Sequence, residues 1–230
     1  MTLPEAARVH ATRVIRLGVG DALRVFDAGT EFEAVLTAIE KHRALIEVGA
    51  AISSLPERSI PLHLMMSPLK GDLTELVIQK ATELGVAIIS PVIFERTDTV
   101  ARREPTEARR ERWHRVAASA AEQSGRSVVP EVRHVGTLSE SISALGPPSE
   151  PEVRVAAAEP SIQAGPSVRS TPVSAVQSVV VAVGPAGGLS AEDLTILTAA
   201  GFSPERFALH TLRSETACLA ALAVLALRYP

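Results

Sequence analysis

The sequence predicts an α/β protein: a mainly parallel sheet covered by helices on both faces, preceded by a small β module. Three observations carry this. From about residue 60 onward, short apolar runs alternate with segments of helical period, the pattern of a parallel sheet built from strand–helix repeats. Residues 22–52 instead hold three strand-like runs in succession. Finally, "VVVAVGPAGGLSAED", residues 179–193, passes from a strand through glycines into a helix start. Ligands of open α/β sheets bind at such strand ends.

Composition narrows the possibilities. The chain has 230 residues, 46% of them apolar, so it can bury a substantial core. A net charge of −3 argues against coating nucleic acid by bulk charge, though it allows a local basic patch. Cys218 is the only cysteine. It can form no disulfide within the chain and no cysteine metal cluster, which fits a reducing cytoplasm. The first residues do not read as a secretion signal. The longest apolar run, 217–227, is well short of the roughly 20 residues that span a bilayer. It reads as a buried helix, and no membrane partner is expected.

The elements follow in order. Within 1–55, two strand-like runs flank the turn at Asp27-Ala28-Gly29-Thr30, and "ALIEVGAAI" gives a third. "HATRVIRL" ahead of them reads as one or two helical turns. Residues 53–58 read as a linker, and 60–230 as the larger domain. There, "PLHLMM" is a buried strand and "GDLTELVIQKATELG" the clearest helix. Its expected apolar face is Leu73, Leu76, Val77, Lys80 by its stem, Ala81 and Leu84, with Asp72 and Glu75 as a capping box and Gly85 as the stop. "VAIISPVIF", "VRVAAAE" and "SVVVAVG" are strands, and helices are expected over 106–124, 191–200 and 215–228. The Pro- and Ser-rich "PSIQAGPSVRSTPVSAVQ" reads as a loop.

Four stretches suggest chemistry. The first is the glycine turn. It lacks the glycines of a dinucleotide fingerprint at 186 and 189, where Ala186 and Leu189 stand, and it lacks the Lys-Ser/Thr of a phosphate loop. Ser190 as cap with Glu192 and Asp193 behind it makes the helix start acidic, which disfavours phosphate and suits an unphosphorylated adenosine with a cationic centre. S-adenosylmethionine (SAM) has that chemistry; an ordinary strand-to-helix turn explains the loop equally well. The second is "LHTLRSETACLAALAVL", where Ser214 can cap a helix beginning at Glu215 beside Arg213. The third, "LKGDLTELVIQKATELGV", places Gln79 and Glu83 on one helical face, as a site or as a solvated surface. The fourth, residues 96–115, is arginine-dense and contains Trp113, the only tryptophan. It suits RNA through phosphate contacts and stacking, or a salt-bridged helix with Trp113 on its apolar side.

Taken together, Lys70 with "QKATELGV", "AAEQSGR" with Val129-Pro130, "VGPAGGLSAED" and "TLRSETA" resemble the RsmE-type family of 16S rRNA uridine-N3 methyltransferases. They stand in the family's order across 60–230. "HATRVIRLGVGDALRVFDAG" resembles that family's PUA-like RNA-binding β-barrel. The resemblance implies a SPOUT-class domain with a trefoil knot and a SAM site. The chain departs from the family at Ala186, where Glu is usual, and at Ala208, where Gly is usual. The strand that ordinarily precedes "HATRVIRL" has no counterpart, which leaves open whether the barrel is complete.

The implied activity is methyl transfer from SAM to N3 of a uridine in the decoding region of 16S rRNA, in the small ribosomal subunit, by a cytoplasmic homodimer. Arg126, Arg96 or Arg213 is expected to stabilise the uracil anion, and Glu215 or Glu83 to accept or position the proton. Gly184, Gly187 and Gly188, with the turn from Leu209 to Ser214, are expected to hold the cofactor, Leu189 and Leu212 packing on adenine. Lys70, Arg102, Arg103, Arg109 and Arg110 are expected to meet RNA. A related methyltransferase acting on another RNA, a non-catalytic RNA-binding or ribosome-assembly protein, and a nucleotide-dependent oxidoreductase are the competing readings.

Overall fold

The computed structural model describes residues 1–27, 29–53, 56–99, 102, 107–147, 151–158 and 172–230. The turn residue Ala28, Arg103 and most of the Pro- and Ser-rich stretch lie outside these. The chain divides into two compact units, Met1–Pro56 with Gly125–Val128, and Glu57–Ser124 with Val129–Pro230.

The first unit is an antiparallel meander of β1 (Ala22–Asp27), β2 (Thr30–Ile39) and β3 (Ala44–Ile52). Asp27 pairs with Thr30 across a tight turn, and Gly29 there has φ +86, a conformation costly for other residues. Leu36 and Ile46 form the core with Leu3 and Ala11. "HATRVIRL" folds as α1 (Glu5–Val9) running into a π-helical turn over His10–Ile15. The residues ahead of it lie along β3: Thr2 bridges Leu45, and the Leu3 amide donates to the Ala44 carbonyl at 3.0 Å.

Among the described residues the second unit holds seven strands, every pairing parallel. Their order is β10 (Ser203–Glu205), β8 (Glu152–Ala157), β9 (Ser178–Val183), β4 (Leu62–Met66), β5 (Val86–Ile93), β6 (Glu131–Val132), with β7 (Gly136–Thr137) also on β5. Side chains alternate across the sheet as strand geometry requires. Leu62, Leu64, Met66, Val179, Val181 and Val183 face α2 (Leu73–Glu83), α3 (Glu107–Ser124) and α6 (Ser214–Arg228). Met65, Val180 and Ala182 face α4 (Leu138–Leu145) and α5 (Ala191–Ala199). This is the α/β class the sequence predicts.

Several local expectations are corrected. The buried face of α2 is Thr74, Val77, Ile78, Ala81 and Thr82, whereas Leu73 and Leu76 are each 38% exposed. The threonines are admitted because their hydroxyls bond backbone: Thr74 Oγ1 to Leu69 and Thr82 Oγ1 to Ile78. Asp72 makes no capping bond; it and Glu75 turn to Arg112 on α3, at 3.6 and 2.7 Å. Gly85 ends the helix in the left-handed region, as expected. Helix α4, with its Thr137/Glu140 capping box, and the short strand β10 were not anticipated. Trp113 is 1% exposed in the core beneath α3, so its apolar reading holds and it offers no stacking face.

One buried cation organises the second face. Arg154, on β8, donates to the carbonyls of Gly146 and Ala200, the residues that end α4 and α5, and pairs with Glu152 at 2.6 Å. It therefore neutralises two helix C-termini whose carbonyls would otherwise lack partners.

Candidate active site

The carboxyl ends of β8 and β9 open into a cleft continuous with solvent. This is the edge at which open α/β sheets accept ligands. Two turns wall it. One follows β9, from Gly184 to Leu189; the other, from Phe207 to Ser214, leads into α6.

The glycine turn is held by internal packing. A side chain at Gly184 would place its Cβ 2.8 Å from Leu189 Cδ2 and 3.1 Å from the Leu189 amide, so the turn closes only without one. Gly188 has φ +73, and its amide donates to the Pro185 carbonyl. Gly187 differs: a Cβ there would meet Arg96 at 3.5 Å, an ordinary contact, so space does not demand glycine.

The acidic helix start proves to be an internal fastener. Asp193 is buried; its carboxylate accepts from the Ser190 amide at 3.1 Å and the Glu95 amide at 3.2 Å, while Ser190 Oγ accepts from the Asp193 amide. Neither Asp193 nor Glu192 lines the cleft. What disfavours phosphate is different: no Lys or Arg is among the described residues lining it, and His210 is the one titratable side chain there.

Ser214 also works otherwise than expected. It is the first residue of α6 rather than its cap, and its hydroxyl donates to the Gly184 carbonyl at 2.6 Å. That bond joins the two turns across the cleft. Leu189 and Leu212 line the walls with Phe207, which sequence reasoning overlooked; His210 and Thr211, within the turn expected to hold the cofactor, line them too. Leu209 is 85% exposed and is not among the lining residues. Ala186 and Ala208 both line the cleft, so each departure from the family falls on its surface.

The remaining expected residues separate. Arg96 is exposed beside the glycine turn and donates from Nη1 to the Gly187 carbonyl at 3.0 Å. Arg213, also exposed, immediately precedes α6, and Glu215 lies in its first turn. Glu83 is at the end of α2 that leads back to the amino edge of the sheet, roughly 16 Å along the helix axis from its start. It is paired there with Lys80 at 2.8 Å. Arg126 belongs to the other compact unit.

The arginine-dense stretch is largely engaged within the fold. Arg102 donates to the carbonyls of Thr97, Phe94 and Glu95, closing the turn that carries Arg96. Arg109 stacks over Trp113 at 4.8 Å, and Arg110 pairs with Glu107. Lys70 is exposed and pairs with Asp98 at 2.9 Å. Arg103 lies outside the described residues.

Away from the cleft, His63 and Ser90 share a buried hydrogen bond at 2.8 Å. Burial, with the charge of Arg133 adding to it, pushes the His63 imidazole down to about 3.

A strand-end cleft with apolar walls and backbone-lined turns stands where open α/β sheets accept ligands. Comparison with known proteins assigns the class. The RNA methyltransferase domain family matches residues 56–226, and the RNA methyltransferase PUA domain family matches residues 4–49. The chain is 30% identical to ribosomal RNA small subunit methyltransferase E of Synechocystis over 97% of its length and 71% of the relative's. It is 30% identical to that of Bacillus subtilis, over 94% and 85%. Among solved structures, a putative methyltransferase from Legionella pneumophila in complex with bound SAM superposes with a TM-score of 0.89 at 29% identity, covering 100% of this chain and 92% of that one. The ribosomal RNA small subunit methyltransferase E of Neisseria gonorrhoeae bound to SAM gives 0.86 at 31%, with the same coverage. The chain belongs to the ribosomal RNA small subunit methyltransferase E family, with the SPOUT-type fold and PUA-like first unit that the motifs implied.

Proposed function

We propose that this protein transfers a methyl group from SAM to N3 of a uridine in the decoding region of 16S rRNA, within the small ribosomal subunit in the cytoplasm. The observation that carries this is the cleft itself: two turns joined by the Ser214–Gly184 bond, with no cation among the described lining residues, in a chain of this family. Such walls suit an uncharged adenosine. Exposed backbone groups of the turns can meet its polar edges, and Leu189, Leu212 and Phe207 its ring.

When bound, SAM supplies an electrophilic methyl on a cationic sulfur. This chain must then align the uracil, accept the N3 proton and stabilise the charge that develops on the uracil carbonyls. Arg96 is anchored on the Gly187 carbonyl at the cleft's margin and, being permanently charged, serves as the anion partner, with Arg213 as its counterpart at the start of α6. Glu215 is the carboxylate for the proton. Glu83 is withdrawn from that role by its position. Arg126 belongs to the other unit and is given no role in this site; Lys70 is retained as an RNA contact. Two copies associate through α6, whose Val224 and Leu227 are exposed apolar residues.

Nucleoside mass analysis of 16S rRNA from cells with and without the protein tests the proposal. We expect 3-methyluridine to appear only with it. An unchanged profile would favour a binding module, and a different methylated nucleoside a related enzyme.

A further inference from the structure

Arg16 is the only non-glycine residue with positive φ among the described residues, at +64. It ends the π-helical turn over His10–Ile15, and its own amide closes the turn on the Ala11 carbonyl. A left-handed arginine is disfavoured, and π turns are rare, so two uncommon local features coincide. What they display is also uncommon. Arg13 and Arg16 are exposed, and no carboxylate pairs with either among the described residues. The nearest acid in sequence, Asp21, is taken by the Gly18 amide at 2.7 Å. Between the arginines stand Val14 and Ile15, 65% and 55% exposed, and Val19 beyond them is 63% exposed. From Ala7 to Gly20 the chain carries no acidic residue, although acids outnumber bases overall.

We propose that the segment Arg13–Val19 is an RNA-docking surface of the N-terminal unit. Arg13 and Arg16 hold phosphates, while Val14, Ile15 and Val19 lie against the sugar and base faces of unpaired nucleotides. The inference rests on the proposed function and names the surface through which its RNA is held. Two exposed guanidiniums with no carboxylate partner among the described residues suit a phosphate backbone, and apolar side chains between them suit unstacked bases. Three apolar side chains are too little for a stable protein–protein interface, which needs about 800 Å² on each partner.

The test uses the full chain and small ribosomal subunits purified from cells that lack the protein, with affinity measured at several salt concentrations. Arg16→Gly suits the left-handed backbone, so it removes the charge without disturbing the turn; its melting temperature should match or exceed the parent's. Arg16→Gly and Arg13→Gln should each weaken RNA binding about fivefold and lower the salt slope by about 1, with SAM affinity unchanged. Arg16→Lys should restore most of the slope. Arg24→Gln, which removes an exposed charge already paired with Glu31, should change neither. If Arg16→Gly lowers the melting temperature, Arg13→Gln decides alone. Parental affinity and slope in Arg13→Gln, or an equal loss in Arg24→Gln, would overturn the surface. Failure of the parent protein to bind the subunit would instead overturn the proposed function.

Discussion

The arginine-dense stretch and the cleft lie in the same compact unit and use charge in opposite ways. Along residues 96–115 the described arginines are abundant, and most are engaged within the unit: Arg102 on carbonyls, Arg109 on Trp113, Arg110 and Arg112 on carboxylates. The cleft holds no Lys or Arg among its described lining residues and is built from backbone, small residues and apolar walls. Charge density in a sequence therefore marks where a fold braces itself as readily as where it meets a ligand. The candidate cofactor cleft differs from that stretch in carrying no Lys or Arg among its described lining residues.

That contrast can be broken or sharpened by experiment. The largest effect should come from the interior's own uncharged polar group. His63 stays neutral in the fold down to about pH 3, while the unfolded imidazole titrates near 6.5. The unfolded state then binds more protons between these values, so the contribution is fully present above about 6.5 and is lost as pH falls toward 3. The loss is at most about 5 kcal/mol. Urea titrations across that range should show it, and His63→Gln should flatten the acid limb.

Next, Trp113→Ala should cost about 3–5 kcal/mol of stability in a urea melt, because it empties a core site. A selective loss of RNA affinity at unchanged stability would mean that the tryptophan faces ligand after all. Gly184→Val should weaken SAM binding at least about a hundredfold, roughly 2.7 kcal/mol, by forcing Leu189 out of the turn. Gly187→Ala should change it by less than about threefold, since its Cβ meets only ordinary contact. Equal losses at the two glycines, read by calorimetry, would show that the turn works differently. The smallest effect is expected at Arg110→Ala, an exposed pair with Glu107 that should leave both melting temperature and SAM affinity unchanged.

The strands were legible because burial on both faces leaves an unmistakable signature. β9 and β4 are nearly continuous apolar runs, and the turn after β9 was visible through its glycines. Helix faces were harder. Leu73 and Leu76 promised burial by hydropathy, yet Thr74 and Thr82 take the inner face through backbone bonds that no periodicity reveals. Short elements such as β10 exist only because β8 offers them an edge. In the candidate site, the two turns could be found from sequence, but the purposes of Ser214, Asp193 and Arg102 could not. Each is fixed by a partner distant in sequence or by a bend of the chain: Gly184, Glu95, and the carbonyls of 94–97. The Thr137-x-x-Glu140 capping signal that announces α4 was present and readable.

The most direct test of the central claim is a pair of calorimetric titrations of the full chain, one with SAM and one with ATP. A cleft without lysine or arginine among its described lining residues should bind SAM at one molecule per chain and give no saturable heat with ATP. Saturable ATP binding as tight as or tighter than SAM would show that the site is built for phosphate, contrary to this account.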